Sequence, residues 1–556
     1  MLSALLIEDL SSVICTNIAF FHFDSELAEK RSGLHALRAI LIQLIHRNQA
    51  SKHIIDTVSL LMDEGGSGQP RASDDELREI FSLFLRHIPN MILLFDGIDE
   101  CADITELLDT LQRLCQHTTT KILLIGRPSI IFPPAYRHTS CSIHINEKAH
   151  CADIETYLAH QLRQSEIEVA GKLGRREMVK SIARGSGSMF LWARQMVSYL
   201  SSPALSPLER LNELTNLNLI EGLDFVYNRT MKALEKKIAK EKLFVFKIFQ
   251  ILAVSLRPLT IMELQTALAS YPGKPVDKFN RVYNLEKYLS HMCGALVEIR
   301  PDDSVRFIHL SVKEYITSRV MCRNYFLVDT HIANIYLAKV CLSYLIFDMP
   351  ASPLSGAADC AAKRDDLADC LPLLKYAVQS WNRHIKNGLS AIDRESSAGV
   401  LKACEEMVLF LSSFLDKKAC ITAWIEAAWT FGKKPEGIPL FNILEDLKQH
   451  LTSPNEYLSQ LAWYCERLDR LCKDLEILNK EWCHLLAIKP NEIWGDSVSA
   501  FFESEFWLAT KKTIVLTLKP KEHDPTGGSN TLATVIASQV STDGGHLGIL
   551  EVIPSK

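Results

Sequence analysis

The segment Met91-Ile-Leu-Leu-Phe-Asp-Gly-Ile-Asp-Glu100 puts three carboxylates within five residues at the end of a continuously apolar run. Such a run reads as a strand buried on both faces, and its C-terminal end then lies at the rim where ligands bind in open α/β sheets. Carboxylates there suit a magnesium ion bridging nucleotide phosphates, with Asp96 on the metal and Asp99 or Glu100 placed to orient an attacking water. The structural alternative has Asp96 closing the strand and Asp99-Glu100 capping the next helix, whose first turn favours acids. The density of acids after an apolar run favours the site. A second apolar run, Lys121-Ile-Leu-Leu-Ile-Gly-Arg127-Pro128, ends on an arginine. If the two strands are parallel, Arg127 sits at the same edge and can face a γ-phosphate; as a surface arginine in a turn fixed by Pro128 it fits the spacing equally well.

The elements that must position these residues alternate helix and strand through about residue 150, the pattern of a parallel sheet. Strands are expected at Ile18 to Phe23, Met91 to Phe95, Lys121 to Ile125 and Ser142 to Ile145. Helices are expected at Leu34 to His46, Asp74 to His87 and Asp103 to Gln116, with Glu64 to Pro70 as a loop. Beyond 150 the pattern is helical, including one run over Met178 to Leu200. Between 220 and 330, helices precede two strands, Ala295 to Arg300 and Val305 to Leu310, around Pro301-Asp-Asp303, which predicts a winged helix. Residues 330–490 are helical again, and three short strands follow at Thr513 to Leu518, Thr531 to Val540 and Leu547 to Ile553.

The length of 556 residues makes several domains the expectation. With 61 Lys and Arg against 66 Asp and Glu, the net charge is −5, so no global charge recruits nucleic acid or an acidic membrane. Fifteen cysteines occur with no C-x-x-C pair and read as reduced, mostly buried thiols in a cytoplasmic protein. The uninterrupted apolar stretches are far shorter than the roughly 18 residues a transmembrane helix needs, so no membrane span is expected. There is no G-x-S-x-G elbow, no H-E-x-x-H and no dinucleotide fingerprint with its distal acid.

The series Ala19-Phe-Phe-His-Phe-Asp24, Ile92 to Cys101, Ile122 to Pro128, Asp153-Ile-Glu-Thr-Tyr-Leu158, Gly187-Ser-Met-Phe-Leu-Trp-Ala193, Arg257-Pro-Leu-Thr260 and Arg306 to Tyr315 resembles the NACHT-type signal-transducing NTPases abundant in filamentous fungi. The resemblance covers roughly residues 1–330. It implies a partial nucleotide-binding domain over 1–147, a helical domain over 148–218, a winged helix over 219–328, a helical spacer over 329–490 and a β-rich tail over 491–556. The fold class expected is therefore multidomain, α/β and then mainly α, with an incomplete P-loop NTPase sheet. ATP or ADP with Mg2+ is the implied cofactor, and protein partners with a homo-oligomeric full-length form are the implied assembly. A winged-helix histidine can contact the nucleotide's β-phosphate in this family; His309 is the matching residue, or else a core-edge histidine on a wing strand.

The chain departs from the family at one motif. A P-loop requires G-x-x-x-x-G-K-[ST], yet Gly171-Lys172 is followed by Leu173, Gly273-Lys274 by Pro275 and Gly432-Lys433 by Lys434. Gly65-Gly-Ser-Gly68 and Gly185-Ser-Gly187 carry no lysine. Met1 to Leu10 resembles the helix that directly follows a P-loop, so the expectation is a chain truncated at its N-terminus. Its absent strand would lie between those ending at Ile125 and near Ile145, and nucleotide binding would be impaired. The alternative is a non-catalytic interaction scaffold derived from such an NTPase, with the acidic strand end as a relic.

Overall fold

The computed structural model describes residues 2–12, 17–25, 27–47, 73–127, 147–164, 174–187, 189–202, 205–215, 222–318, 324–389, 398–437, 456–495, 504–508, 534–540 and 547–552, with a few isolated positions between them. The expected strands at Ser142 to Ile145 and Thr513 to Leu518 and the expected loop at Glu64 to Pro70 lie outside the described elements.

Strands β1 (Asn17–His22), β2 (Met91–Asp96) and β3 (Lys121–Ile125) form a parallel sheet in the order β1-β2-β3. The register pairs His22 with Asp96 and Asp96 with Ile125, so all three C-terminal ends reach one edge. In the central strand β2, Leu93, Leu94 and Phe95 are all buried, as a run without polar alternation demands. Helices Gly33–Arg47, Asp74–His87 and Ile104–Cys115 supply Leu37, Ile40, Phe81, Phe84 and Leu111 to the core of this sheet unit. Ser73 and Glu76 close a capping box on the Asp74–His87 helix. Such a cap typically contributes about 1 kcal/mol.

The helix expected over Met178 to Leu200 is two helices, Arg175–Gly185 and Phe190–Leu200, broken at the Gly-Ser-Gly junction. With Glu147–Gln164 they enclose a separate core around Ile154, Ile182, Trp192 and Met196.

The winged helix is present. Helices Leu223–Glu235, Ala239–Val254, Ile261–Ala269 and Leu285–Met292 precede and flank strands β4 (Leu259–Thr260), β5 (Val297–Ile299) and β6 (Ser304–Phe307), which pair antiparallel in the order β4-β6-β5. One expectation fails here. The strand read over Val305 to Leu310 stops at Phe307, and His309 is the N-cap of a further helix, Leu310–Thr317, rather than a wing-strand residue. Val312, Tyr315 and Ile316 are the buried positions of that helix, and their three-and-four spacing overrides the short strand-like run before them.

Helices Thr330–Phe347, Leu374–Leu389, Lys418–Thr430 and Glu456–Glu481 continue from the winged helix without a break in packing. A single apolar cluster runs from Tyr227 through Trp381 and Trp424 to Trp507. Thr330–Phe347 is long and apolar enough to cross a membrane by length and composition, and 67% of it is buried inside the protein, as in a core helix. Strands β7 (Thr534–Val540) and β8 (Leu547–Val552) form an antiparallel pair. The chain is thus mostly helical, with a small parallel sheet and a winged helix. Among the described residues the cysteines are all free, but only Cys101, Cys293, Cys341, Cys420 and Cys472 are buried; Cys141, Cys360 and Cys370 are exposed, so the reading of mostly buried thiols was too strong.

Candidate functional site

The edge formed by the C-terminal ends of β1, β2 and β3 gathers the residues singled out in the sequence. Gly97 makes this geometry: its φ of 68° is left-handed, and a Cβ there would lie 3.2 Å from the Phe23 carbonyl oxygen. The chain therefore turns sharply into the short 3-10 turn Ile98–Glu100 and carries Asp99 and Glu100 back over the strand ends. Neither residue caps the next helix.

Asp96 Oδ2 lies 2.9 Å from His22 Nδ1, the side chain opposite it in the parallel register. The bond to His22 is the main force holding the Asp96 carboxyl below the usual carboxylate range, and a hydrogen bond from the Ser3 hydroxyl adds to it against the opposing effect of burial. His22 is raised in turn, chiefly by the same bond. Asp96 is thus an ionised carboxylate at neutral pH, flanked by a hydroxyl from the Leu2–Ser12 helix. Among the described residues no group of three His, Cys, Asp or Glu forms an all-protein metal cage. Magnesium does not need one: it is commonly held by one or two protein oxygens with substrate phosphates and waters completing the shell. Asp96 and Ser3 fit that requirement, with the His22 ring bonded to the Asp96 carboxylate from the neighbouring strand.

Arg127 follows β3 and is gripped from two sides. Its Nε lies 3.2 Å from Asp99 Oδ2, its backbone N–H donates to Asp99 Oδ1 at 3.2 Å, and its Nη1 lies 3.3 Å from Glu314 Oε1. Asp99 is therefore the residue that positions the guanidinium. Glu100 Oε2 accepts from the Ser25 N–H at 2.8 Å and so ties the acidic turn to the end of β1.

His309 reaches this edge from the winged helix. Its Nδ1 accepts from the Ser311 N–H at 3.1 Å and lies 2.7 Å from Ser311 Oγ, which is 2.8 Å from Tyr227 Oη. An Nδ1 that accepts from an amide carries no proton, so the hydroxyls run Tyr227 to Ser311 to His309 and the neutral ring keeps its proton on Nε2. Burial lowers the His309 pKa, the nearby Arg127 lowers it further, and Glu100, Glu314 and Asp99 oppose both. Glu314, on the helix that His309 caps, reaches Arg127, so this helix brings His309 to the edge that carries Asp99, Glu100 and Arg127. The structure thus brings four of the five sequence candidates together and sets Asp96 on the adjoining strand end.

Sequence reasoning missed Ser3, His22 and Glu314. Ser3 carried a signal, because Met1 to Leu10 already resembled the helix after a P-loop. His22 and Glu314 act through contacts across 74 and 187 residues, which no local pattern announces.

Residues 1–127 match the family model described as Nephrocystin 3, N-terminal, and residues 228–327 match the one described as GPI inositol-deacylase, winged helix domain. Both are NACHT-associated families, and together they support a broad NTPase-related regulatory role. Searches of curated proteins and of solved structures give no match.

Proposed function

We propose that this chain is a NACHT-type, nucleotide-responsive regulatory protein in which the strand-end cluster is the acidic and sensing half of a phosphate site. Asp96, with Ser3 beside it, is the magnesium-side ligand. Arg127, positioned by Asp99, reads the terminal phosphate, and His309 offers its Nε2–H to an inner phosphate. Glu100 is left to orient water with the oxygen that Ser25 does not use. The observation that carries this reading is convergence: Asp96 ends β2, Arg127 follows the end of the adjacent parallel β3 at the same edge, and the helix capped by His309 reaches Arg127 through Glu314 from the winged helix. Bound magnesium would supply charge neutralisation of the phosphates; the protein's own part is to hold the carboxylate ionised and the guanidinium aimed. ATP or ADP is the proposed nucleotide, with assembly through protein partners or further copies in the cytoplasm.

A second reading, a nucleotide-free interaction scaffold, is favoured by the lack of any G-x-x-x-x-G-K-[ST] in the sequence and by the internal pairing of the charged residues. Fluorescent ATP and ADP titrations with magnesium separate the two. Binding that is abolished by Asp96→Ala supports the nucleotide site. Absence of binding by a chain shown to be folded, with or without magnesium, leaves the scaffold and retires the site.

A further inference from the structure

The seam between the sheet unit and the winged helix is ionic. Among the described residues, one apolar cluster runs from Ala19 to Leu111 and another from Tyr227 to Trp507, and neither spans both units. Among the described residues, ion pairs cross between them at two places. Arg306 Nη1 lies 3.2 Å from Asp24 Oδ2, and Arg127 Nη1 lies 3.3 and 3.4 Å from the two oxygens of Glu314. The pairs differ in burial: Arg306 and Asp24 are 17% and 14% exposed, whereas Arg127 and Glu314 are 38% and 49% exposed.

A guanidinium recognises carboxylate and phosphate oxygens with the same planar fork. Asp99 faces Nε of Arg127, which leaves the Nη groups to a ligand, and Glu314 holds Nη1 with both of its oxygens. We propose that Glu314 is a built-in competitor for phosphate at Arg127. A ligand that brings a terminal phosphate to the guanidinium displaces Glu314, and the displacement unties the Leu310–Thr317 helix that carries His309 at its cap. The half-exposed pair is suited to exchange, since water solvates both partners once they part. The better buried Asp24–Arg306 pair stays closed and keeps the winged helix at the edge. This inference rests on the nucleotide reading of the site and names its regulation.

The test uses the full chain as wild type, Glu314→Gln and Glu286→Gln. Glu286 is an exposed carboxylate on the Leu285–Met292 helix, so its variant carries the same charge change away from the seam. MgATP and MgADP affinities are measured by isothermal titration calorimetry, and amide exchange of residues 310–317 is followed by mass spectrometry. Glu314→Gln is expected to bind MgATP about 3- to 10-fold more tightly, to change MgADP affinity by less than about 2-fold, and to exchange faster at 310–317 without ligand. Glu286→Gln is expected to match wild type. Equal MgATP affinity in Glu314→Gln and wild type overturns the competition, and an equal gain for MgADP overturns the assignment to the terminal phosphate. No binding of either nucleotide by any of the three folded proteins overturns the nucleotide reading itself, a result distinct from equal binding by all.

Discussion

Asp24 and Arg306 lie 282 residues apart in the chain and meet at 3.2 Å, each with most of its side chain out of water. Asp24 belongs to the loop after β1 and Arg306 to the wing strand β6, so the pair fixes where the winged helix docks on the sheet edge. Removing one partner leaves the other charge desolvated, which costs more than the pair contributes. Asp24→Asn and Arg306→Gln should each lower stability by about 1–3 kcal/mol, and their double-mutant cycle should return a coupling of about 1–2 kcal/mol in denaturant unfolding. Additive losses would show that the two residues act separately.

His22 and Asp96 make a pair whose pH window follows from the two shifts. Asp96 is held low, so its contribution is present above the ordinary carboxylate range and is lost as pH falls through its depressed value. His22 is raised, so its contribution is complete below 6.5 and is lost as pH rises through its elevated value. The stabilisation therefore spans mildly acid to neutral pH, and with His22 60% exposed it amounts to at most about 1 kcal/mol. In carboxyl-labelled protein followed by NMR, His22→Asn should move the Asp96 titration upward, and Ser3→Ala should move it upward by less. An unmoved Asp96 in His22→Asn would remove the basis for treating the two as a unit.

Gly294 joins the Leu285–Met292 helix to β5 with a φ of 63°, and a Cβ there would lie 2.6 Å from Thr230 Cγ2. The left-handed backbone and the overlap act in the same direction. Gly294→Ala should destabilise the protein by about 2–4 kcal/mol, read as a lowered denaturant midpoint with an unchanged slope. Pairing it with Thr230→Ser, which removes the clashing methyl, should recover the steric part and leave the backbone part.

Strand β2 was legible because burial on both faces is written into composition: Met91 to Phe95 leaves no polar alternation for a half-exposed strand, whereas β3, whose run Lys121 to Ile125 carries the same apolar signature, is only partly buried, with Lys121 exposed. Parallel pairing then places Asp96 and Arg127 at one edge without further information. The end of β6 was not legible, since Val305 to Leu310 is too short an apolar run for period to separate strand from helix, and the decision falls to Tyr315 and Ile316 packing further on. The partners of the site residues were hidden for a different reason. Glu314 meets Arg127, and Asp103 accepts from the Gly33 N–H at 2.8 Å to cap a helix 70 residues earlier, through tertiary contacts that leave no periodicity in the sequence.

His384 gives the clearest acid-sensitive element. It is wholly buried, with Nε2 2.8 Å from Tyr376 Oη and Nδ1 2.8 Å from Asn334 Oδ1. The Tyr376 oxygen accepts from the Leu256 N–H at 3.2 Å, and Asn334 Nδ2 donates to the Thr330 carbonyl at 2.7 Å. Since Asn334 Oδ1 can only accept, the proton of the neutral ring sits on Nδ1, and Tyr376 donates to Nε2. This chain of bonds links the winged helix at Leu256 to the Thr330–Phe347 and Leu374–Leu389 helices with every ring nitrogen satisfied. Burial pushes the His384 pKa down to about 3, so the folded protein keeps the ring neutral while the unfolded chain protonates it below about 6.5. The unfolded state then binds the extra proton, and stability falls as pH drops from about 6 toward 3, by up to about 1.4 kcal/mol per pH unit from this group alone. His384→Gln keeps a donor and an acceptor but cannot titrate. It should cost about 1–3 kcal/mol at pH 7 through imperfect bonds and flatten the acid limb relative to wild type, as measured by unfolding midpoints at pH 7, 6, 5 and 4. Parallel acid limbs in the two proteins would assign the loss of stability to carboxylates elsewhere.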